Sequence, residues 1–133
     1  NSLVYVRGKG MVDTLDTDIG RTVKKRPTTP EISYLDRKNS QETSKGKAFG
    51  IATVNLKTGV KKEYGYAIPG SQDFIWLDKN HLLMAKGNEV FTKHIQERDW
   101  HSLGKIESSS HQGITRLAYS PELNKIILVL NRK

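Results

Sequence analysis

Hydroxyl and imidazole side chains stand together at Ser108-Ser109-Ser110-His111, where the residue types could support nucleophilic catalysis. A serine nucleophile needs a base, a carboxylate that orients the base, and an oxyanion hole, all converging in space. Adjacency in a polar loop supplies none of that geometry, and the chain contains no G-x-S-x-G motif. The sequence therefore predicts no catalytic residues and a protein that is not an enzyme.

Metal and phosphate chemistry have equally little support in the sequence. The four histidines, at positions 81, 94, 101 and 111, show no metal-ligand spacing such as H-E-x-x-H, and cysteine is absent. The absence of cysteine excludes a disulfide framework and a thiolate zinc site. No G-x-x-x-x-G-K-[ST] loop occurs either. We therefore expect no metal and no cofactor.

The composition indicates a folded, basic domain. The 133 residues carry a formal net charge of +8. The longest unbroken apolar run, Ile126 to Leu130, is five residues long, far below the roughly 20 that cross a bilayer. The chain begins at Asn1 instead of Met, with no signal-peptide core behind it, so a processed, truncated or engineered start is expected.

Short runs rich in β-branched and aromatic residues recur along the chain, each ended by Gly, Pro, Asn, Asp or Ser. Such runs predict strands, and no window carries the apolar stripe of a three-turn helix. The predicted strands are Leu3–Val6, Met11–Leu15, Thr22–Arg26, Ile32–Asp36, Phe49–Leu56, Val60–Tyr66, Asp73–Leu77, His81–Lys86, Glu89–His94, Trp100–Ile106, Ile114–Tyr119 and Lys125–Leu130. Lys86–Glu89 is expected to form a tight hairpin turn, and the polar stretch Lys38–Lys47 a long mobile loop.

Two internal echoes give this all-β chain a period. Leu15–Lys25 resembles Val54–Lys62, with Gly20 and Gly59 at 39 positions apart. Phe74–Met84 resembles Leu117–Leu128, with Trp76 and Tyr119 at 43 positions apart. Four strands every 40–45 residues is the pattern of propeller blades. We therefore predict a partial β-propeller of four-stranded antiparallel blades in one domain, with approximate blades at 1–30, 31–67, 68–107 and 108–133 and about three blades' worth of strands.

The segments SQDFIWLDKNHLLMAKGNEVFTK (Ser71–Lys93) and GITRLAYSPELNKIILVLN (Gly113–Asn131) resemble the last two blades of bacterial TolB-like, WD-repeat-related propeller proteins. The turns Leu77–Asn80 and Pro121–Asn124 depart from the P-D-G of that family. The resemblance implies a six-bladed, exported propeller built for binding, in the periplasm or secreted, with no assigned activity in most members. In some related proteins such a propeller precedes a peptidase domain.

Three blades cannot close a ring. An open stack of blades would expose apolar faces and unpaired strand edges. Two explanations are open: the remaining blades belong to a longer chain, or copies of this chain assemble into a closed homo-oligomeric ring. Two copies of three blades would make six.

Loops at one face of a propeller form its usual binding surface, because a rigid scaffold holds them. The loops predicted at that face are 38–47, 69–72, 86–88 and 108–113. The candidate ligand-binding residues of this cluster are Gln72, Asp73, Lys86, Asn88, His111, Gln112 and Arg116. Their alternative role is that of solvated turn residues or tethers between blades. Trp76 is expected to pack in the core, and Trp100 to cover a blade edge.

Basic residues cluster at two positions that the first echo makes equivalent, on or beside outer strands. One cluster is Arg21, Lys24, Lys25 and Arg26, and the other is Lys57, Lys61 and Lys62. Lysine on an edge strand discourages pairing with other chains. A patch for nucleic acid or an anionic envelope surface is the less favoured interpretation, since aromatic residues are not interleaved.

These observations favour a non-catalytic binding or scaffold module that contacts a protein partner. One alternative is the substrate-screening propeller of a hydrolase whose catalytic domain lies elsewhere. Another is a lectin-like oligomer in which each chain supplies some of the blades.

Overall fold

The computed structural model describes residues 2–7, 11–16, 23–71, 73–107 and 111–132. The described chain is all-β and contains no helix, as the sequence predicts. Its strands are β1 (Ser2–Arg7), β2 (Met11–Asp16), β3 (Lys24–Lys25), β4 (Glu31–Thr43), β5 (Gly46–Asn55), β6 (Lys61–Tyr66), β7 (Phe74–Asp78), β8 (His81–Lys86), β9 (Glu89–His94), β10 (His101–Lys105), β11 (His111–Ser120) and β12 (Lys125–Arg132). No helix among these residues is long and apolar enough to span a membrane.

The strands form antiparallel sheets in sequence order. β3-β4-β5-β6 and β7-β8-β9-β10 are four-stranded, whereas β1-β2 and β11-β12 are two-stranded. β7 and β11 lie in separate sheets, so the second echo relates the first two strands of one sheet to the first two of the next. Short turns join neighbouring strands, and this allows every pairing to be antiparallel.

Two expectations about the first half of the chain are wrong. Lys24 pairs with Ser33, so β3 belongs to the sheet of β4–β6 and not with the strands before it. That sheet therefore has four strands instead of three, and it begins inside the segment 1–30. Consequently β3 and β6 are the two edges of one sheet, and the first echo does not relate equivalent strands.

The long mobile loop expected at Lys38–Lys47 is also wrong. The segment forms the ends of β4 and β5, which pair from Ser40 opposite Phe49 to Thr43 opposite Gly46. The Thr43 hydroxyl donates to the Gly46 carbonyl at 2.7 Å across the turn. Backbone pairing needs no apolar face, so a polar, solvent-exposed stretch can still be a hairpin.

The main core lies between the two four-stranded sheets. Leu35 and Ile51 of the first sheet meet side chains of the second, and the whole set is Leu35, Ile51, Ala67, Ile68, Phe74, Trp76, Leu82, Met84 and Ile95. Burying a large apolar side chain contributes about 1.5–3 kcal/mol, so this layer dominates the packing energy of the pair of sheets.

Both four-stranded sheets also bury their opposite faces. Successive strand residues point to opposite sides, so Tyr34, Ala52 and Val54 form a second cluster facing away from the first. In β8, Leu82 belongs to the main core, whereas Leu83 is fully buried on the other side, and β11 lies against β7 and β8. The central strands of both sheets are therefore covered on both faces, whereas the edge strands β6 and β10 are largely exposed.

Candidate binding rim

One edge of the stacked sheets brings together described parts of the loops that the sequence predicts for binding. We define the rim as the β4–β5 turn, residues 67–71, Asp73, the β8–β9 turn, and Gly113. The Gly70 N–H donates to the Lys47 carbonyl at 3.1 Å, and the Ile114 N–H donates to the Gly87 carbonyl at 2.8 Å. In both junctions the turn between the second and third strands of one sheet contacts the segment that enters the next sheet.

The close contact between β11 and the β8–β9 turn depends on a glycine, Gly113. Gly113 is buried and has φ +147°, a conformation that L side chains rarely adopt. A Cβ at this position would lie 3.2 Å from the Gly87 carbonyl oxygen. The direct contact between the β8–β9 turn and β11 therefore requires a residue without a side chain here.

Lys86 acts as a tether at the rim, although its side chain is exposed. Its Nζ donates to the Pro69 carbonyl at 2.6 Å, which ties the end of β8 to the segment between β6 and β7. The same ammonium lies 3.5 Å from the Lys45 carbonyl in the β4–β5 turn. A lysine whose donors face backbone carbonyls is less available to bind an anionic ligand.

Asp73 and Asn88 contribute unsatisfied acceptors. The Oδ1 atoms of both side chains are buried without a hydrogen-bond partner. Asp73 forms an ion pair with Lys24, whose Nζ lies 3.7 Å from Oδ1 and beyond hydrogen-bond distance, and 38% of the Asp73 side chain is exposed. Buried oxygens normally find a donor, but neither atom is open to solvent, so a bound molecule reaches them only after the rim loops shift.

The other candidate residues are described only in part. Gln72 lies outside the described residues. His111 pairs with Arg132 and Arg116 with Val129 in the β11–β12 ladder, which places His111 at the rim and Arg116 farther along the strand. The side chains of His111, Gln112 and Arg116 lie outside the described part of the chain, as do Ser108, Ser109 and Ser110.

The opposite edge is built around Arg26, which the sequence places in a basic cluster. Its side chain is only 12% exposed. The guanidinium donates to the Lys79 carbonyl at 2.6 Å and to Glu31 Oε1 at 2.9 Å, and lies 5.3 Å from the centre of the Trp76 ring. The Arg26 guanidinium contacts Lys79 and Trp76 of the second sheet and Glu31 of the first, so it joins the two sheets. Its role is therefore neither to protect a strand edge nor to bind an anion at the surface.

The remaining basic residues divide between ion pairs and solvent. Lys61 Nζ lies 2.7 Å from Asp36 Oδ2. Burial alone would raise the pKa of Asp36, but hydrogen bonds from Lys61 and from the Lys38 N–H hold it below its ordinary value. Lys25, Lys57 and Lys62 are exposed, and Arg21 lies outside the described residues.

A buried lysine is a feature that the sequence analysis missed. Lys93 is 0% exposed, and its ammonium donates to the carbonyls of Tyr64 at 3.1 Å, Ile95 at 2.9 Å and His94 at 3.4 Å. Burial lowers the pKa of Lys93 to about 8. The spacing of residues in β9 could have indicated this burial. Lys93 follows Phe91 by two residues, so both side chains lie on the strand face that packs against the core.

A carboxylate–imidazole pair lies at the β7–β8 turn, where sequence spacing gave no signal for one. His81 Nδ1 lies 2.9 Å from Asp78 Oδ1, and the His81 ring meets His94 edge to face at 5.1 Å. Burial would raise the pKa of Asp78, but the Asn80 N–H and His81 hold it below its ordinary value. Among the described residues no group of three or more His, Asp or Glu could hold a metal ion.

No protein family, curated protein or solved structure matches this chain.

Proposed function

We propose that this chain is part of a TolB-like β-propeller and serves as a non-catalytic binding or scaffold module that contacts a protein partner through the rim. In this proposal each four-stranded sheet is a blade. The extracytoplasmic, bacterial setting, periplasmic or secreted, follows from the resemblance of Ser71–Lys93 and Gly113–Asn131 to that family.

The way in which successive sheets meet supports the blade arrangement. Trp76 in β7 reaches Ser33 in β4, and β11 lies against β7 and β8. In both cases the first strand of a sheet packs on the first strands of the preceding sheet. The central strands are covered on both faces, as strands are in blades that stack around an axis.

The observation that carries the binding proposal is the pair of buried, unsatisfied oxygens on Asp73 and Asn88. Leaving a buried acceptor unpaired costs about 1–3 kcal/mol, and a ligand donor recovers that energy when the rim loops shift to admit it. Both residues stand where one sheet meets the next, on loops held by a rigid scaffold. Peptide N–H groups and side-chain amines of a protein partner are donors of the required kind.

Selection of a random 12-residue peptide library on the immobilised chain tests this proposal. We expect selected peptides to lose at least tenfold in affinity for Asn88→Ala and Asp73→Asn. Asp99→Asn is the matched control, because Asp99 is exposed at the opposite edge. Peptides that bind all three variants equally, or a glycan array that gives the dominant ligand, would overturn the proposal. Thermal unfolding of each variant shows that it is folded.

A further inference from the structure

Side chains of the second four-stranded sheet donate to the backbone of β6, an edge strand of the first sheet. Lys93 in β9 donates through Nζ to the Tyr64 carbonyl at 3.1 Å. Trp100, directly before β10, donates through its indole N–H to the Tyr66 carbonyl at 3.0 Å. An edge strand normally leaves such carbonyls open to a strand of another chain. In β6, two of these acceptors are already occupied by side chains.

The Lys93 ammonium is held in place by its other hydrogen bonds. Besides Tyr64, it donates to the Ile95 carbonyl at 2.9 Å and the His94 carbonyl at 3.4 Å, and its side chain is 0% exposed. These three acceptors match the three donors of an ammonium group. Moving β6 away from β9 would leave a buried cation short of one acceptor, which is costly. The contact with Tyr64 therefore resists displacement by a competing strand.

The backbone of β6 is irregular at the same place. The register between β5 and β6 shifts between Gly50 and Ala52, and Gly65 has a positive φ of 78°. A bulge of this kind bends a strand and makes its edge a poorer template for pairing. The bulge and the two side-chain donors thus act together on residues 64–66.

We propose that Lys93 and Trp100 block the outer edge of β6 and so prevent the first sheet from pairing edge to edge with a second copy of this chain. Two copies of one edge strand can pair antiparallel about a two-fold axis, so an open β6 would be complementary to itself. Loss of either donor frees a backbone carbonyl and favours that pairing. The proposal concerns the outer edge alone and does not depend on what the rim binds.

Disulfide trapping at β6 tests the proposal, and the chain contains no native cysteine to interfere. Glu63→Cys places a thiol at an exposed position of β6. Adding Trp100→Phe or Lys93→Met to this chain is expected to raise the disulfide-linked fraction at least fivefold on mild oxidation at equal concentration. Trp76→Phe is the matched control, because it removes the indole donor of another bond between the sheets, the one to Ser33. It leaves both donors to β6 in place.

A second control separates the loss of a donor at β6 from a general loss of stability. Leu83→Ala, also made in the Glu63→Cys chain, truncates a fully buried side chain and leaves both donors to β6 intact. Cross-linking that rises as much for Leu83→Ala or Trp76→Phe as for Trp100→Phe would overturn the proposal, and so would no rise for Trp100→Phe. Circular dichroism identifies the folded variants, and Trp100→Phe decides the outcome if Lys93→Met does not fold.

Discussion

The Trp76 indole N–H donates to the Ser33 hydroxyl at 2.8 Å, in a buried hydrogen bond that joins the two four-stranded sheets. Ser33 is 0% exposed, and its hydroxyl also acts as a donor, to the Lys24 carbonyl at 2.9 Å. Three strands, β3, β4 and β7, are thereby linked through one serine. An indole carries a large apolar surface and one donor, so its burial between sheets requires such an acceptor.

Ser33→Ala is expected to destabilise the chain by about 1–3 kcal/mol, because it leaves the buried Trp76 N–H without a partner. Trp76→Phe removes the donor as well as part of the ring. The double variant should therefore cost less than the sum of the two single changes. Urea denaturation of all four chains measures this coupling. Strictly additive losses would show that the hydrogen bond contributes nothing beyond packing.

Lys93 is expected to make stability rise with pH. Its pKa is about 8 in the folded chain against an ordinary 10.5, so between these values the unfolded chain binds more protons. Stability from this group should increase from about pH 8 towards pH 10.5, by up to about 3 kcal/mol, and stay level below pH 8. The measurement is the difference in unfolding free energy between the native chain and Lys93→Met from pH 7 to 10.

Lys62→Met controls for the general effect of removing a lysine, because Lys62 is exposed on β6. The Lys93→Met difference is expected to change more with pH than the Lys62→Met difference does. Equal slopes for the two variants would mean that the buried ammonium is not destabilised by its surroundings.

Gly113→Ala is expected to destabilise the chain by about 1–3 kcal/mol, since the positive φ and the approach of the Gly87 carbonyl both oppose a Cβ. Gly87→Ala has a positive φ of 60° but meets no atom within 4 Å, so it isolates the cost of backbone conformation alone. Thermal unfolding should rank Gly113→Ala as the more damaging change. The reverse order would argue against a tight contact between the β8–β9 turn and β11.

The strand positions were predictable because runs of alternating residues and turn residues are local signals. His81–Lys86 and Glu89–His94 were predicted with the bounds that the structure has. Sheet membership was not predictable in the same way, because Lys24 finds Ser33 across the turn at Pro27–Pro30 and no pattern in the sequence marks that pairing.

The rim shows the same division between local and tertiary information. Its loops were predicted from their places between strands, whereas the tethering of Lys86 to Pro69 and the unpaired oxygens of Asp73 and Asn88 are tertiary results. A charge run suggests surface exposure, yet the burial of Arg26 depends on Trp76, 50 positions later. Such contacts are properties of packed sheets and not of a sequence window.

Arg26 and its neighbour Lys25 belong to the same basic cluster, but their replacement is expected to change stability by very different amounts. Arg26→Ala is expected to cost about 2–4 kcal/mol, because it removes the hydrogen bond to Lys79 and leaves the Glu31 carboxylate, with 13% side-chain exposure, unpaired. Arg26→Lys keeps the charge but loses the planar contact with Trp76, so it should recover only part of that loss. Lys25→Ala, at the neighbouring exposed position, should change stability by less than about 0.5 kcal/mol. Urea denaturation of the three variants compares these costs, and equal losses for Arg26→Ala and Lys25→Ala would return Arg26 to the surface role that its sequence context suggests.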